Sequence, residues 1–384
     1  MGGARYPVES RRRNPPNGRT HTAEGATLFR PTSYNYCAKK SMANVARINQ
    51  FDEIIDVRTP AEFAEDHIPG AINCAVLSDE ERARVGTIYK QVSPFEAKKI
   101  GAALISQNIA QHLQQRFLDR PKSWRPLVYC WRGGKRSGAM THILQQVGWR
   151  AEQLEGGYKS YRHAVREKLE ALPQAYTWRV VCGLTGSGKS RLLLALQQAG
   201  AQTLDLEGIA CHRGSVLGNF PDIAQPSQKM FDSLLLAALQ QLDPARPVYI
   251  EAESKKIGDL RVPQNLIEKM WQSDCVLLET DTRGRVKLLL EEYAHYLHSP
   301  PQLHAKLDCL LALHGREKIQ EWKSLADQGQ WPHLVEQLLT QHYDPAYTRS
   351  TLKHYVRYAQ GLVLRAERLD EQSLSELVGL RSED

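Results

Sequence analysis

The chain has 384 residues, 42% of them hydrophobic and 24% charged, with a formal net charge of +7. That usage excludes a disordered or fibrous protein and supplies enough apolar material for two domain cores. No run approaches the roughly eighteen uninterrupted apolar residues of a membrane helix, and the N-terminus lacks the apolar stretch of a secretory signal, so a cytoplasmic protein with no membrane partner is expected.

The seven cysteines, at 37, 74, 130, 182, 211, 275 and 309, are odd in number and widely spread. They form neither CxxC pairs nor clusters with histidine, which argues against zinc and for a reducing compartment. The modest positive balance suits a polyanionic partner such as RNA, although part of it lies in Arg11-Arg12-Arg13.

In chain order, residues 1–46 are rich in Arg, Pro, Gly and Asn and show no apolar periodicity, as in a flexible leader. From Phe51 short strands and helices alternate. Glu53-Ile-Ile-Asp56-Val57 and Leu127-Val-Tyr-Cys130 are predicted strands, Pro60 to Glu65 a short helix, and Ser137 to Val147 a helix stopped by Gly148. This α/β domain is expected over 47–170, with Pro173 to Thr177 as a linker.

A second α/β domain is expected over 171–282. Its predicted strands start at Arg179, Thr203, Pro247 and Cys275, separated by helical lengths, which is the rhythm of a parallel sheet with crossover helices. Residues 283–384 read as a helical region completing or packing on that domain.

Two phosphate-sized cradles carry the chemistry. The first is Cys130-Trp-Arg132-Gly133-Gly134-Lys135-Arg136-Ser137, a strand-to-helix turn. The thiolate is the nucleophilic form of cysteine, and such a turn offers N–H groups and a positive helix end, to which Arg132, Lys135 and Arg136 add charge. Cys130 and Arg136 are the candidate catalytic residues, and the rest of the loop would bind an anion. Cys74, Cys182 and Cys275 lie in apolar contexts and read as packing residues; Cys211 is kept as a possible second thiol.

The second cradle, Gly183-Leu-Thr185-Gly186-Ser187-Gly188-Lys189-Ser190, is a complete Walker A sequence between a predicted strand and helix. Gly186 and Gly188 let backbone N–H groups face phosphates, Lys189 supplies a point charge, and Ser190 can hold Mg2+. Glu251 and Glu253 at one strand end, or Asp205 at another, would support the metal, and Arg213 is a candidate phosphate contact. RNA contacts are least defined: Tyr347, Arg349, Lys353, His354, Tyr355, Arg357 and Tyr358 interleave cations and aromatics, but tyrosines docked on the core fit the same pattern.

The Cys130 loop, with Ile55-Asp56-Val57-Arg58-Thr-Pro-Ala-Glu62-Phe63 and His67-Ile-Pro-Gly70 upstream, resembles the rhodanese family. Common rhodaneses read CxxGxRS; the C-x5-R-S loop here is closer to that of related phosphatases and suggests a larger anion, such as a phosphate bearing sulfur or selenium. The rhodanese-like α/β domain would thus precede a P-loop NTPase-like parallel-sheet domain. Leu154-Glu-Gly-Gly-Tyr158-Lys, Asp205-Leu-Glu-Gly208, His212-Arg213-Gly214-Ser215, Glu251-x-Glu253-Ser254, Ile257-Gly258 and Tyr343-Asp344-Pro345-x-Tyr347 narrow the match. Together they resemble the tRNA 2-selenouridine synthase family.

That resemblance implies a transferase acting on tRNA with 2-thiouridine at the wobble position. It implies S-geranylation with geranyl diphosphate, then selenium entry from selenophosphate with Cys130 as a selanyl-cysteine, and no tightly bound organic cofactor. The alternative is an ATP-dependent sulfurtransferase or small-molecule kinase carrying a rhodanese domain, indifferent to tRNA.

Overall fold

The computed structural model describes residues 42–379. In chain order its strands are β1 (Met42–Ala43), β2 (Glu53–Asp56), β3 (Ile72–Asn73), β4 (Pro126–Tyr129), β5 (Glu152–Leu154), β6 (Trp178–Cys182), β7 (Gln202–Leu204), β8 (Val248–Glu251), β9 (Lys256–Ile257), β10 (Leu260–Arg261), β11 (Asp274–Glu279) and β12 (Leu362–Arg365). The first five form a sheet in the order β1-β5-β4-β2-β3, every pair parallel. A second parallel sheet runs β12-β11-β6-β8-β7, and β9 and β10 form a small antiparallel hairpin.

Central strand β4 is buried at all four residues, as expected for a parallel strand covered on both faces. Caps set the helix starts around it. Thr59 and Glu62 form a capping box, with Pro60 in the first turn, at the helix Pro60–Glu65. Ser78 with Glu81, and Ser93 followed by Pro94, start the helices Asp79–Gln91 and Pro94–His112 inserted between β3 and β4.

Most of the expected leader, residues 1–41, lies outside the described residues. Residues 42–46 belong to the folded body: β1 pairs with β5, and Ala43 is fully buried while its carbonyl accepts from Glu155 N at 2.9 Å. The helix after the cysteine loop begins two residues earlier than expected, at Lys135, because Gly134 is its N-cap.

The segment expected as a linker is a packed junction. Pro173, Tyr176 and Trp178 are buried; Trp178 Nε1 donates to Pro173 O at 2.9 Å and Tyr176 Oη to Leu239 O at 2.6 Å. One apolar cluster runs through both sheets. It takes Leu127, Tyr129 and Leu154 from the first, and Trp178, Val180, Val248 and Ile250 from the second. Between them, Tyr158, Tyr161 and Val165 of the helix Gly157–Ala171 meet Phe231 and Leu235 of the helix Gln228–Leu239.

Polar contacts ring that seam: Arg162 donates to Lys229 O at 2.9 Å and pairs with Asp232, while Lys229 pairs with Glu65 at 2.5 Å. Residues beyond 283 are mainly helical and have a core of their own, including Leu303, Leu307, Trp322 and Leu334. They also return β12 to the second sheet beside β11, a strand not anticipated in the helical region. Among the described residues no helix is long and apolar enough to cross a membrane.

Candidate functional site

Cys130 follows β4 and leads into the helix Lys135–Val147. Its sulfur lies at the floor of the loop, the residue only 3% exposed, and accepts from Gly134 N at 3.3 Å and Ser137 Oγ at 3.1 Å. Gln153 braces the turn by donating to Ser137 Oγ at 2.8 Å and to Gly133 O and Gly134 O.

The Leu154-Glu-Gly-Gly-Tyr158 motif is the loop's underside. Tyr158 N donates to Cys130 O at 2.8 Å and Lys159 N to Trp131 O at 3.0 Å. Gly157, at φ +59°, passes so close that an added Cβ would lie 2.3 Å from Cys130 O, so no other residue fits.

Arg136 pairs with Glu62 at 2.8 Å. Burial would raise the Glu62 carboxyl, but the Arg136 hydrogen bond and charge outweigh it and hold Glu62 below the usual range. Arg132 and Lys135 are exposed, with no carboxylate partner among the described residues.

The Walker turn joins β6 to the helix Lys189–Gln198. Its cleft is lined by Thr185, Gly186, Gly188, Lys189, Ser190, Asp205, Glu207, Arg213, Glu251 and Glu253, with Tyr293, Tyr343 and Tyr347 as aromatic walls. Gly183 N is already used, donating to Tyr347 Oη at 2.8 Å, and Lys189 Nζ donates to Gly183 O at 3.1 Å. Ser187 is buried with its hydroxyl unpartnered.

Ser190 Oγ lies 3.1 Å from Glu251 Oε2 and 3.2 Å from Glu207 Oε2. Carboxylate oxygens of Glu207, Glu251 and Glu253 all fall within 4.8 Å of one another, and buried Glu251 Oε1 has no partner. Burial, then repulsion from Glu253, pushes Glu207 up to about 8; burial, then Glu251, does the same to Glu253; Glu251 is raised well above the ordinary carboxylate range by burial and Glu207. This oxygen-only set with excess negative charge fits a hard divalent cation such as Mg2+. Gly214, at φ +63°, makes the approach possible: a Cβ there would stand 2.9 Å from Glu207 and 3.0 Å from Glu253.

Asp205 lines the cleft, but its Oδ1 caps the helix Leu206–Ala210 by accepting from Gly208 N at 2.7 Å. Glu207 of the same motif stands beside Ser190 instead, a residue sequence reasoning passed over. Arg213 is held between the Phe220 ring at 4.4 Å and the Tyr293 ring at 5.0 Å, with Nη1 buried and unpartnered. Cys211, at φ +49°, ends the helix Leu206–Ala210, and its thiol faces Gly208 O at 3.8 Å and does not line the cleft.

Arg285 was also unforeseen. Nearly buried, it pairs with Asp344 at 2.5 Å and donates from Nε to Thr185 O at 2.9 Å, so the Tyr343-Asp344-Pro345-x-Tyr347 motif backs the Walker loop from two points. The tyrosines considered for RNA turn inward: Tyr347 holds Gly183, Tyr355 is 6% exposed in the core, and Tyr358 packs against it. The helix ends at His354, which stacks on Trp271, so Arg357 does not share a helix face with Lys353 and pairs with Asp274 at 2.7 Å.

Beside the cleft, and sharing Thr185, Ser215, Leu289, Tyr293 and Tyr343 with it, is a second pocket. Its remaining wall is mainly apolar, including Leu217, Leu303, Trp331, Leu334 and Leu338.

The two halves have separate counterparts among known proteins. Residues 40–164 match the rhodanese-like domain, and residues 176–309 match the tRNA 2-selenouridine synthase AAA domain. The tRNA 2-selenouridine synthase of Alcanivorax borkumensis is 34% identical over 331 residues, covering 77% of this chain and 88% of that protein. The chain belongs to the tRNA 2-selenouridine synthase family. The enzyme of the same name from Marinobacter nauticus is 32% identical, covering 77% and 87%; that from Nitrosomonas europaea is 35% identical, covering 62% of this chain and 63% of that protein. Membership of the tRNA 2-selenouridine synthase family accounts for the pairing of a cysteine loop with a Walker cleft on one chain.

Proposed function

We propose that this protein is a tRNA-modifying transferase that converts wobble 2-thiouridine to 2-selenouridine in two transfers. Geranyl diphosphate alkylates the thiouridine sulfur at the Walker cleft, and selenium from selenophosphate, delivered through Cys130, then replaces the alkylated sulfur. The observation that carries this reading is the apolar pocket joined to the phosphate cleft through Thr185, Ser215, Leu289, Tyr293 and Tyr343. A hydrocarbon chain attached to a diphosphate needs such a pair of compartments, one apolar and one phosphate-binding.

In the first transfer the sulfur attacks the allylic carbon, the carbon–oxygen bond breaks, and its electron pair leaves with the diphosphate. Lys189 and the unpartnered Arg213 Nη1 are the cations available to meet that charge. Ser190, Glu207, Glu251 and Glu253 would hold Mg2+, which supplies further positive charge beside the phosphates. Tyr293 and Tyr343, at the mouth of the apolar cavity, would exclude water from the allylic carbon. In the second transfer the selenium of selenophosphate, received at the N–H-lined Cys130 loop, would attack the carbon bearing the alkylated sulfur. The carbon–selenium bond forms, the carbon–sulfur bond breaks, its electron pair leaves with the sulfur as geranyl thiol, and water then cleaves the selenium–phosphorus bond to release phosphate.

Purified protein given thiolated tRNA and geranyl diphosphate is expected to form the geranylated nucleoside without ATP. Cys130→Ser keeps that step and loses selenium installation, while Lys189→Ala loses geranylation and still selenates geranylated tRNA; nucleoside mass spectrometry reads both. ATP-dependent turnover indifferent to tRNA would favour the kinase or sulfurtransferase alternative.

A further inference from the structure

Resting on the reading above, we infer that Trp131 is the platform on which an unpaired nucleobase of the RNA substrate stacks beside Cys130. Trp131 adjoins the sulfur-bearing position in sequence, yet as a residue it is 38% exposed where Cys130 is 3% exposed. Open aromatic surface next to a nearly buried nucleophile is within reach of whatever binds over that sulfur.

The ring is also rigidly backed. Its inner side lies against Tyr158, centroids 5.2 Å apart. Tyr158 is fixed by its hydroxyl to Asp66 at 2.6 Å and rests on the Arg58 guanidinium, 4.0 Å from the ring centre. Arg58 is locked in a buried pair with Asp56 at 2.6 Å. The Trp131 carbonyl is pinned by Lys159 N. Arg132, Lys135 and Lys159, neighbours of Trp131 in the loop or through its carbonyl, are exposed and have no carboxylate partner among the described residues.

An exposed aromatic on a loop that also carries unpaired cations recognises a splayed base with its flanking phosphates: the ring binds the π-face and the cations bind the backbone. The candidate RNA-facing tyrosines elsewhere in the chain are turned into the core, which leaves Trp131 as the stacking surface nearest the reacting sulfur.

The test uses the full-length protein and an RNA hairpin with 2-thiouridine in its loop. Trp131→Ala is expected to weaken binding about ten-fold or more, and Trp131→Phe to retain most of the affinity, as base stacking requires. Hairpin binding should quench tryptophan emission in the wild type but not in Trp131→Phe, a signature a merely structural role would not give. Unchanged iodoacetamide labelling of Cys130 checks that the loop is intact in both variants. Binding by Trp131→Ala within two-fold of wild type, or equal quenching in Trp131→Phe, overturns the inference while wild-type modification of tRNA still supports the function. Wild-type protein that binds no RNA hairpin overturns the inference, and failure to modify tRNA separately sinks the function.

Discussion

At the scale of single residues, the two cradles were legible because each is contiguous: Cys130 to Ser137 and Gly183 to Ser190 carry their geometry in consecutive positions. Glu207, Arg285 and the apolar cavity were not, because distant segments assemble them and no local pattern marks the meeting point. The three glutamates make a pH prediction. With no cation bound, Glu207 and Glu253 hold protons up to about 8 that the unfolded chain releases near the ordinary carboxylate value of 4.5. The folded state thus binds more protons across that window, and stability falls as pH rises through it. Mg2+ needs the deprotonated oxygens, so its stabilising effect should grow over the same interval. Melting curves with EDTA and with Mg2+ at about pH 6 and about pH 9 check both signs. The two series should diverge toward high pH and Glu253→Gln should shrink the divergence; parallel curves would refute the cation site.

At the scale of elements, the strands flanking both cradles were readable from short apolar runs between turn residues, whereas β12 was not. Its Leu362 and Val363 are over a third exposed at the sheet edge, so four residues after a long helical stretch gave no alternation to detect. The inserted helices Asp79–Gln91 and Pro94–His112 carried a usable signal, Ser78 with Glu81 and Ser93 with Pro94, that the reading by apolar period overlooked. The helix Asp344–His354 supports a further prediction because Asp344 neutralises the buried Arg285. Asp344→Ala leaves that charge uncompensated and should cost about 3 kcal/mol. Since Arg285 also holds Thr185 O, the variant's KM for the diphosphate substrate should rise more than its rate of selenium installation falls. Urea titration and the two separate assays measure this; a purely thermal defect with KM unchanged would remove the bracket from the site.

At the scale of the molecule, both domains were foreseeable from the sequence but their union was not, since Pro173 to Thr177 has the composition of a linker and the fold of a core. Phe231, fully buried between the sheets, is the natural probe. Phe231→Ala should destabilise by about 3–5 kcal/mol and shift a single cooperative transition. Calorimetry that resolves two transitions, only one of them shifted, would show that the seam does not couple the halves.

The same seam decides what can travel. Among the described residues none from the cysteine loop borders the Walker cleft, and a continuous packed interior with a ring of ion pairs leaves no hinge by which the two could fold together. If the proposed transfers occur at these two places, the anticodon must be handed on, released from one berth and reseated in the other. The half-finished nucleoside would then be free to diffuse away between visits.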